Sequence, residues 1–203
     1  MNAFAFGLKL GIASVGTGDV KNPTYVKGAA SLPADQLAKY GLASTSGCDP
    51  IDARCHTEAR RGFHLSVPIQ LGGSGVGFRV EPYLTLASAG KAYGVYAGPT
   101  FEFRVAPPLY LGFGLGIQAA WVKADPWKYA GDLYGRIPLD LTYYVTDDLA
   151  LVFEAAFGAG ASAYFGEVKD IVNPTTGAKI ARKADVTFGF GKIWDLSVGV
   201  RFP

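Results

Sequence analysis

The sequence predicts an all-β protein, an eight-stranded antiparallel up-and-down barrel that crosses a lipid bilayer. Three observations carry this expectation. Apolar and polar residues alternate with period two in segment after segment, as they do on strands with two unlike faces. Tight turns and longer loops alternate between the segments. The apolar face is too bulky to fit inside a small barrel.

Each strand follows from its own pattern. The first sets Phe4, Phe6, Leu8, Leu10 and Ile12 against Ala5, Gly7, Lys9 and Gly11. The second sets Phe63, Leu65, Val67, Ile69 and Leu71 against His64, Ser66, Pro68 and Gln70. The third sets Val76, Phe78, Val80, Pro82, Leu84 and Leu86 against Arg79, Glu81, Tyr83 and Thr85. In the fourth, Val95 to Val105 alternate with Tyr96, Thr100, Glu102 and Arg104. The fifth sets Leu109, Leu111, Phe113, Leu115, Ile117 and Trp121 against Tyr110, Gly112, Gly114, Gly116 and Gln118. The sixth sets Leu133, Ile137, Leu139, Leu141, Tyr143 and Val145 against Tyr134, Arg136, Pro138, Asp140, Thr142 and Tyr144. The seventh sets Leu149, Leu151, Phe153 and Phe157 against Ala150, Val152, Glu154 and Gly158. The eighth runs Val186, Phe188, Phe190, Lys192, Trp194, Leu196, Val198, Val200, Phe202 on one face, with Asp195 and Arg201 on the other.

Gly72-Gly73-Ser74-Gly75, Ala106-Pro107-Pro108 and Thr146-Asp147-Asp148 read as tight turns. The longer connections run from Val15 to Arg61, around Ala89-Gly90-Lys91, from Lys123 to Asp132 and from Phe165 to Ala184. Short periplasmic turns and long outer loops are the layout of outer-membrane barrels, and both termini then fall at the short-turn end.

Composition agrees. The 203 residues fit a single domain spanning 1–203. Charged residues make up 18%, against the usual quarter, so much of the surface is not built for water. A net charge of +2 is too small to argue for nucleic acid. The longest weakly polar run, Ala155 to Gly166, falls short of the roughly 18 residues of a spanning helix. Met1-Asn2-Ala3-Phe4 leads straight into a strand, as expected of a mature exported form.

A soluble barrel would turn the apolar face inward. Here that face carries five or six bulky residues per strand, more than an eight-stranded lumen holds. The opposite face carries Ala5, Gly7, Gly11, Gly112, Gly114, Gly116 and Ala120, where a solvated exterior would carry Lys and Glu. The apolar set therefore faces lipid.

With strand count, loop asymmetry and the aromatic Phe202 in place, the chain resembles the eight-stranded outer-membrane family of OmpA transmembrane domains, OmpX and Ail. The resemblance implies a Gram-negative outer-membrane location and contact with outer-membrane lipids and lipopolysaccharide. It also implies that the assembly machinery recognises the last strand, where Leu196, Val198, Val200 and Phe202 match. The pattern departs from the family at Pro203, because the aromatic is usually the final residue.

Lys9, Arg79, Arg104, Arg136 and Arg201 fall on the inner face with Glu81, Glu102, Asp140, Glu154 and Asp195. Isolated charges in low dielectric are costly, so these should pair as a plug that fills the barrel and sets register. The alternative is a small-ion or solute channel, with Tyr83, Tyr96, Tyr110 and Tyr134 narrowing the bore. Trp121, Trp194 and Phe202 are expected at the membrane interfaces. A 25 Å apolar band needs roughly ten tilted residues, and counted back from Phe202 it ends near Lys192. Lys192 then either snorkels to lipid phosphates or is flipped inward by a bulge near Gly191.

The remaining motifs are weaker. His64 and Ser66, with Glu81 on the facing strand, are loosely similar to the triad of PagL-type lipid A deacylases, which makes a lipid-modifying enzyme the third reading. Cys48 and Cys55 lack a second cysteine pair for a metal site, and in an exported protein they are expected to form a disulfide at the tip of the first loop. Pro33 to Tyr40 has modest helical character. The fourth loop carries Lys169, Lys179, Arg182 and Lys183 against Glu167 and Asp170, a basic balance suited to anionic lipopolysaccharide. The glycine runs at 72–77 and 112–116 do not lie between a strand and a helix, as a phosphate cradle requires. No cofactor, metal or catalytic set is expected. The leading function is non-enzymatic: a structural or interaction barrel presenting its loops to a protein, a surface glycan or another cell.

Overall fold

The computed structural model describes residues 4–17, 25–27, 60–72, 75–87, 90–124, 129–172, 177 and 179–202. They form β1 (Phe4–Thr17), β2 (Tyr25–Lys27), β3 (Arg60–Ser66), β4 (Ile69–Leu71), β5 (Val76–Ala87), β6 (Gly90–Ala106), β7 (Leu109–Gly114), β8 (Gly116–Ala124), β9 (Tyr129–Thr146), β10 (Leu149–Val172) and β11 (Lys179–Phe202). There is no helix among the described residues. The segment Pro33 to Tyr40 and the residues Cys48, Cys55 and His56 lie outside them.

These strands make eight staves. β3 and β4 are one stave interrupted at Val67-Pro68, because Pro68 has no N–H to give to the ladder. The interruption is bridged by Gly7 N donating to Pro68 O at 2.9 Å and Val67 N to Pro82 O at 3.0 Å. β7 and β8 are one stave broken at Leu115, whose N–H reaches Pro99 O at 3.2 Å. β2 stands apart from the ring and pairs only with the far end of β11, at Arg182 to Ala184.

Each stave pairs antiparallel with the next, and β11 closes on β1 from Phe6–Phe202 to Thr17–Gly191. Closure removes the open sheet edges that a bilayer would not tolerate. One row of paired residues runs Gly16, Lys192, Ala159, Gly135, Ile117, Ala97, Val80, Ile69 and returns to β1 at Phe6. That stagger is what tilts the strands against the barrel axis. At the short-turn end, Gly72 and Gly75 have φ of 112° and 98°, which a side chain rarely adopts.

The two faces are sorted as the alternation requires. Phe4, Leu10, Ile12, Leu115, Trp121, Phe153 and Phe157 are all exposed on the outside, while Lys9, Glu81, Arg136 and Glu154 are buried within. An apolar wall that encircles the molecule far exceeds what a water-soluble monomer exposes, so its solvent is hydrocarbon. No described helix is long and apolar enough to cross a membrane.

The structure alters the expected loop bounds and decides between the two readings of Lys192. β10 and β11 run far into the stretch read as the loop from Phe165 to Ala184, reaching Val172 and starting again at Lys179. The first loop is shorter at both ends than Val15 to Arg61, since β1 runs to Thr17 and β3 begins at Arg60. Lys192 points outward: β10 and β11 keep one register from Val186 to Arg201 with no bulge, and Gly191 and Ile193 are the buried neighbours.

Candidate functional site

The barrel interior holds the chemistry. Strand parity sends Lys9 inward from β1, Arg79 and Glu81 from β5, Arg136 and Asp140 from β9, Glu154 from β10 and Asp195 from β11. Glu154 is the hub. Its Oε2 accepts from Lys9 Nζ and Arg79 Nη1, each at 2.6 Å, and its Oε1 from Arg136 Nη2 at 2.8 Å. Arg136 also donates Nε and Nη2 to Asp195, at 3.2 and 2.9 Å to Oδ2. Arg79 Nη2 pairs with Asp140. Lys9 Nζ lies 2.8 Å from Glu81 Oε1, and Arg79 Nη1 lies 3.7 Å from Glu81 Oε2. The cluster thus braces five staves across the lumen.

Aromatic rings complete the filling. The Arg136 guanidinium sits over the Tyr96 ring, 5.1 Å from its centroid. A Cβ at Gly114 would come within 2.9 Å of Tyr96 Oη, and one at Gly116 within 2.7 Å of its ring. The inward glycines of β7 and β8 are therefore slots for Tyr96. Gly94 plays the same part beneath Tyr83.

A second cluster lies toward the short turns. Arg201 donates to both oxygens of Glu102 at 3.0 Å, to Tyr144 Oη at 2.9 Å and to Gln70 Oε1 at 3.3 Å. Between the two clusters is a cavity of about 20 Å³ lined by Lys9, Gln70, Arg79, Asp140, Glu154 and Arg201, among others. That is room for about one water molecule. Arg104 is a correction. Its position is inward by parity, but it lies near the end of β6 where the packed interior has stopped, and it is exposed to solvent.

Toward the loop end, His64 Nδ1 lies 3.1 Å from Thr85 Oγ1 and its ring packs against Tyr83 at 5.2 Å. Ser162 Oγ donates to Asp132 Oδ1 at 2.6 Å, and Tyr134 Oη is 2.9 Å from Ser162. Ser66 is buried with no hydrogen-bond partner for its Oγ in the structure, so it is not joined to His64. Glu81 is occupied with Lys9 and Arg79. His64, Ser66 and Glu81 thus share the lumen without assembling a nucleophile, its base and the base's orienting acid. Among the described residues no group of three or more His, Cys, Asp or Glu is arranged to hold a metal ion.

Sequence reasoning did not find Tyr144, Gln70 or the Asp132–Ser162–Tyr134 chain. The inward parity of Gln70, Tyr134 and Tyr144 is visible in the alternation, but alternation carries no information about which inward residues meet across the lumen, and Asp132 and Ser162 fall outside the expected strands. On the wall, aromatic contacts gather toward both ends. Phe6 stacks on Phe202 at 5.2 Å near the short turns, and Trp121 stacks on Tyr129 at 5.1 Å near the loops. Trp194 and Lys192 are exposed on the same outer face of β11.

No protein-family profile and no curated protein matches the chain. Solved structures do. The crystal structure of Neisserial surface protein A is similar over 99% of this chain and 97% of that one, with 13% identity and a TM-score of 0.55. The solid-state NMR structure of the outer-membrane protein AlkL in lipid bilayers is similar over 99% and 90%, with 11% identity and a TM-score of 0.52. Joined to the closed ring and its apolar wall, these likenesses identify the fold: the chain has the fold of the eight-stranded outer-membrane β-barrels.

Proposed function

We propose that the protein is a non-enzymatic barrel of the Gram-negative outer membrane whose closed wall and filled interior hold its outer loops at the cell surface, as a contact surface for a protein, a glycan or another cell. The observation that carries this reading is the interior. Cations from β1, β5 and β9 converge on Glu154 of β10, and the cavity beside them is about 20 Å³. Such an interior favours rigidity over traffic. The outward Trp121, Trp194, Lys192 and Phe202 suit the two interfaces of a bilayer.

The polar lumen is also what a small-ion channel would need, which keeps that reading second. Liposome conductance at background supports the plug, and discrete single-channel steps support the channel. A lipid-modifying role is opposed by the burial of His64 and Ser66 inside the barrel, away from any acyl chain on the wall. The deciding experiment is a pull-down from solubilised envelopes, using the full chain and a form with residues 18–59 replaced by a short turn. A partner captured by the first and lost from the second is the expected result. Identical captures would remove the presentation role of that loop.

A further inference from the structure

The wall between β6 and β8 carries an arrangement that a plain lipid-facing surface does not need. Going toward the loops, the facing outward pairs are Val95 with Ala119, then Tyr93 with Trp121, then Lys91 with Lys123. Both lysines are exposed, as are Tyr93 and Trp121 beneath them. Directly opposed residues on antiparallel strands hold their Cβ atoms about 5 Å apart, and like charges there repel. Among the described residues neither lysine has a carboxylate partner. The bias extends around the rim: every charged outward side chain described at the loop end is basic, namely Arg61, Lys91, Lys123 and Lys192.

We propose that Lys91 and Lys123 form a binding site for the phosphomonoester of a phosphorylated membrane glycolipid, which bridges the two ammonium groups while its acyl chains lie along Tyr93, Trp121 and the apolar wall below. This rests on the reading of the barrel as embedded with its loops at the outer surface. A dianionic phosphate turns the repulsion into two charge-assisted hydrogen bonds. The sequence of apolar, aromatic and cationic pairs is the polarity gradient from hydrocarbon to headgroup. Trp121 is stacked on Tyr129, so the floor of the site is ordered before lipid arrives. A soluble polyanion would gain nothing from that floor, which is why the occupant is a lipid.

The test uses the full chain in phosphatidylcholine nanodiscs doped with diphosphoryl lipid A or with the same lipid stripped of phosphate. Lys91→Gln and Lys123→Gln, separately and together, are compared with Lys192→Gln and with Arg104→Gln, which lies at the opposite end. Each rim single at 91 or 123 should lower affinity for the phosphorylated lipid about tenfold. The double variant should lose less than the product of the singles, because one phosphate engages both. The stripped lipid should bind all forms alike, and inorganic phosphate should fail to displace the intact lipid. In maltoside micelles, which hold no phosphate, the single variants should melt no lower than wild type.

Equal affinities of wild type and double variant would overturn the site. So would strictly additive losses matched by Lys192→Gln, which would mark diffuse attraction, and so would displacement by inorganic phosphate. A wild type that never enters nanodiscs would remove the membrane reading and the site with it, whereas the other failures remove the site alone.

Discussion

Glu154 accepts hydrogen bonds from Lys9, Arg79 and Arg136 with no exposure to solvent. Three cations brought that close repel unless the carboxylate stays charged between them. Desolvation makes such a network a weak source of net stability, but removing one partner leaves the rest buried and uncompensated. Glu154→Gln should therefore cost about 3–5 kcal/mol, read as a lower urea midpoint for the detergent-folded barrel. Arg104→Gln, on an exposed side chain at the strand end, should change stability by less than about 0.5 kcal/mol. Equal effects would mean that the interior ions are solvated and the plug is open. Glu102→Gln should fall between the two, since the side chain of Glu102 is 17% exposed and water can reach its Arg201 pair.

The last two strands show what one element contributes to the ring and what it does not. β9 follows β10 as far as Phe165, opposite Tyr129, and β1 follows β11 as far as Gly191, opposite Thr17. Beyond those points the two strands pair with each other as a hairpin, met only at Arg182 to Ala184 by β2. The hairpin tip thus lies outside the closed wall. Joining Gly166 to Asp185 through a short turn should leave the heat-modifiable migration of the folded barrel intact and its unfolding midpoint nearly unchanged. Failure to fold would show that the hairpin nucleates closure. The same geometry explains what the sequence could and could not reveal. Where one face meets lipid and the other a packed lumen, period two is forced, and the apolar face of Val186 to Phe202 was legible at once. Beyond Phe165 and Gly191 the ring no longer imposes two unlike faces, the pattern fades between Phe165 and Ala184, and strand there reads as loop. Pro68 and Leu115 interrupt their staves without disturbing the alternation, so those breaks left no trace in the pattern.

At the scale of the whole molecule, the barrel is a soluble protein's polarity turned inside out. Its stability therefore depends on depth in the bilayer rather than on distance from a core. Leu10 lies midway along the outer face of β1, paired with Val198 on one side and Leu65 on the other. Phe202 sits at the short-turn edge, stacked on Phe6. An arginine at the midplane of such a wall costs about 2–4 kcal/mol and one at the interface about 0–1. Leu10→Arg should accordingly lower the unfolding free energy in lipid vesicles by the larger amount and Phe202→Arg by the smaller. In water the ordering would invert or vanish, because an exposed Leu10→Arg would relieve apolar exposure. The sign and gradient of the two changes, measured side by side in vesicles, therefore report directly whether hydrocarbon is the solvent of this wall. A neutral or stabilising Leu10→Arg would be incompatible with a bilayer-spanning barrel.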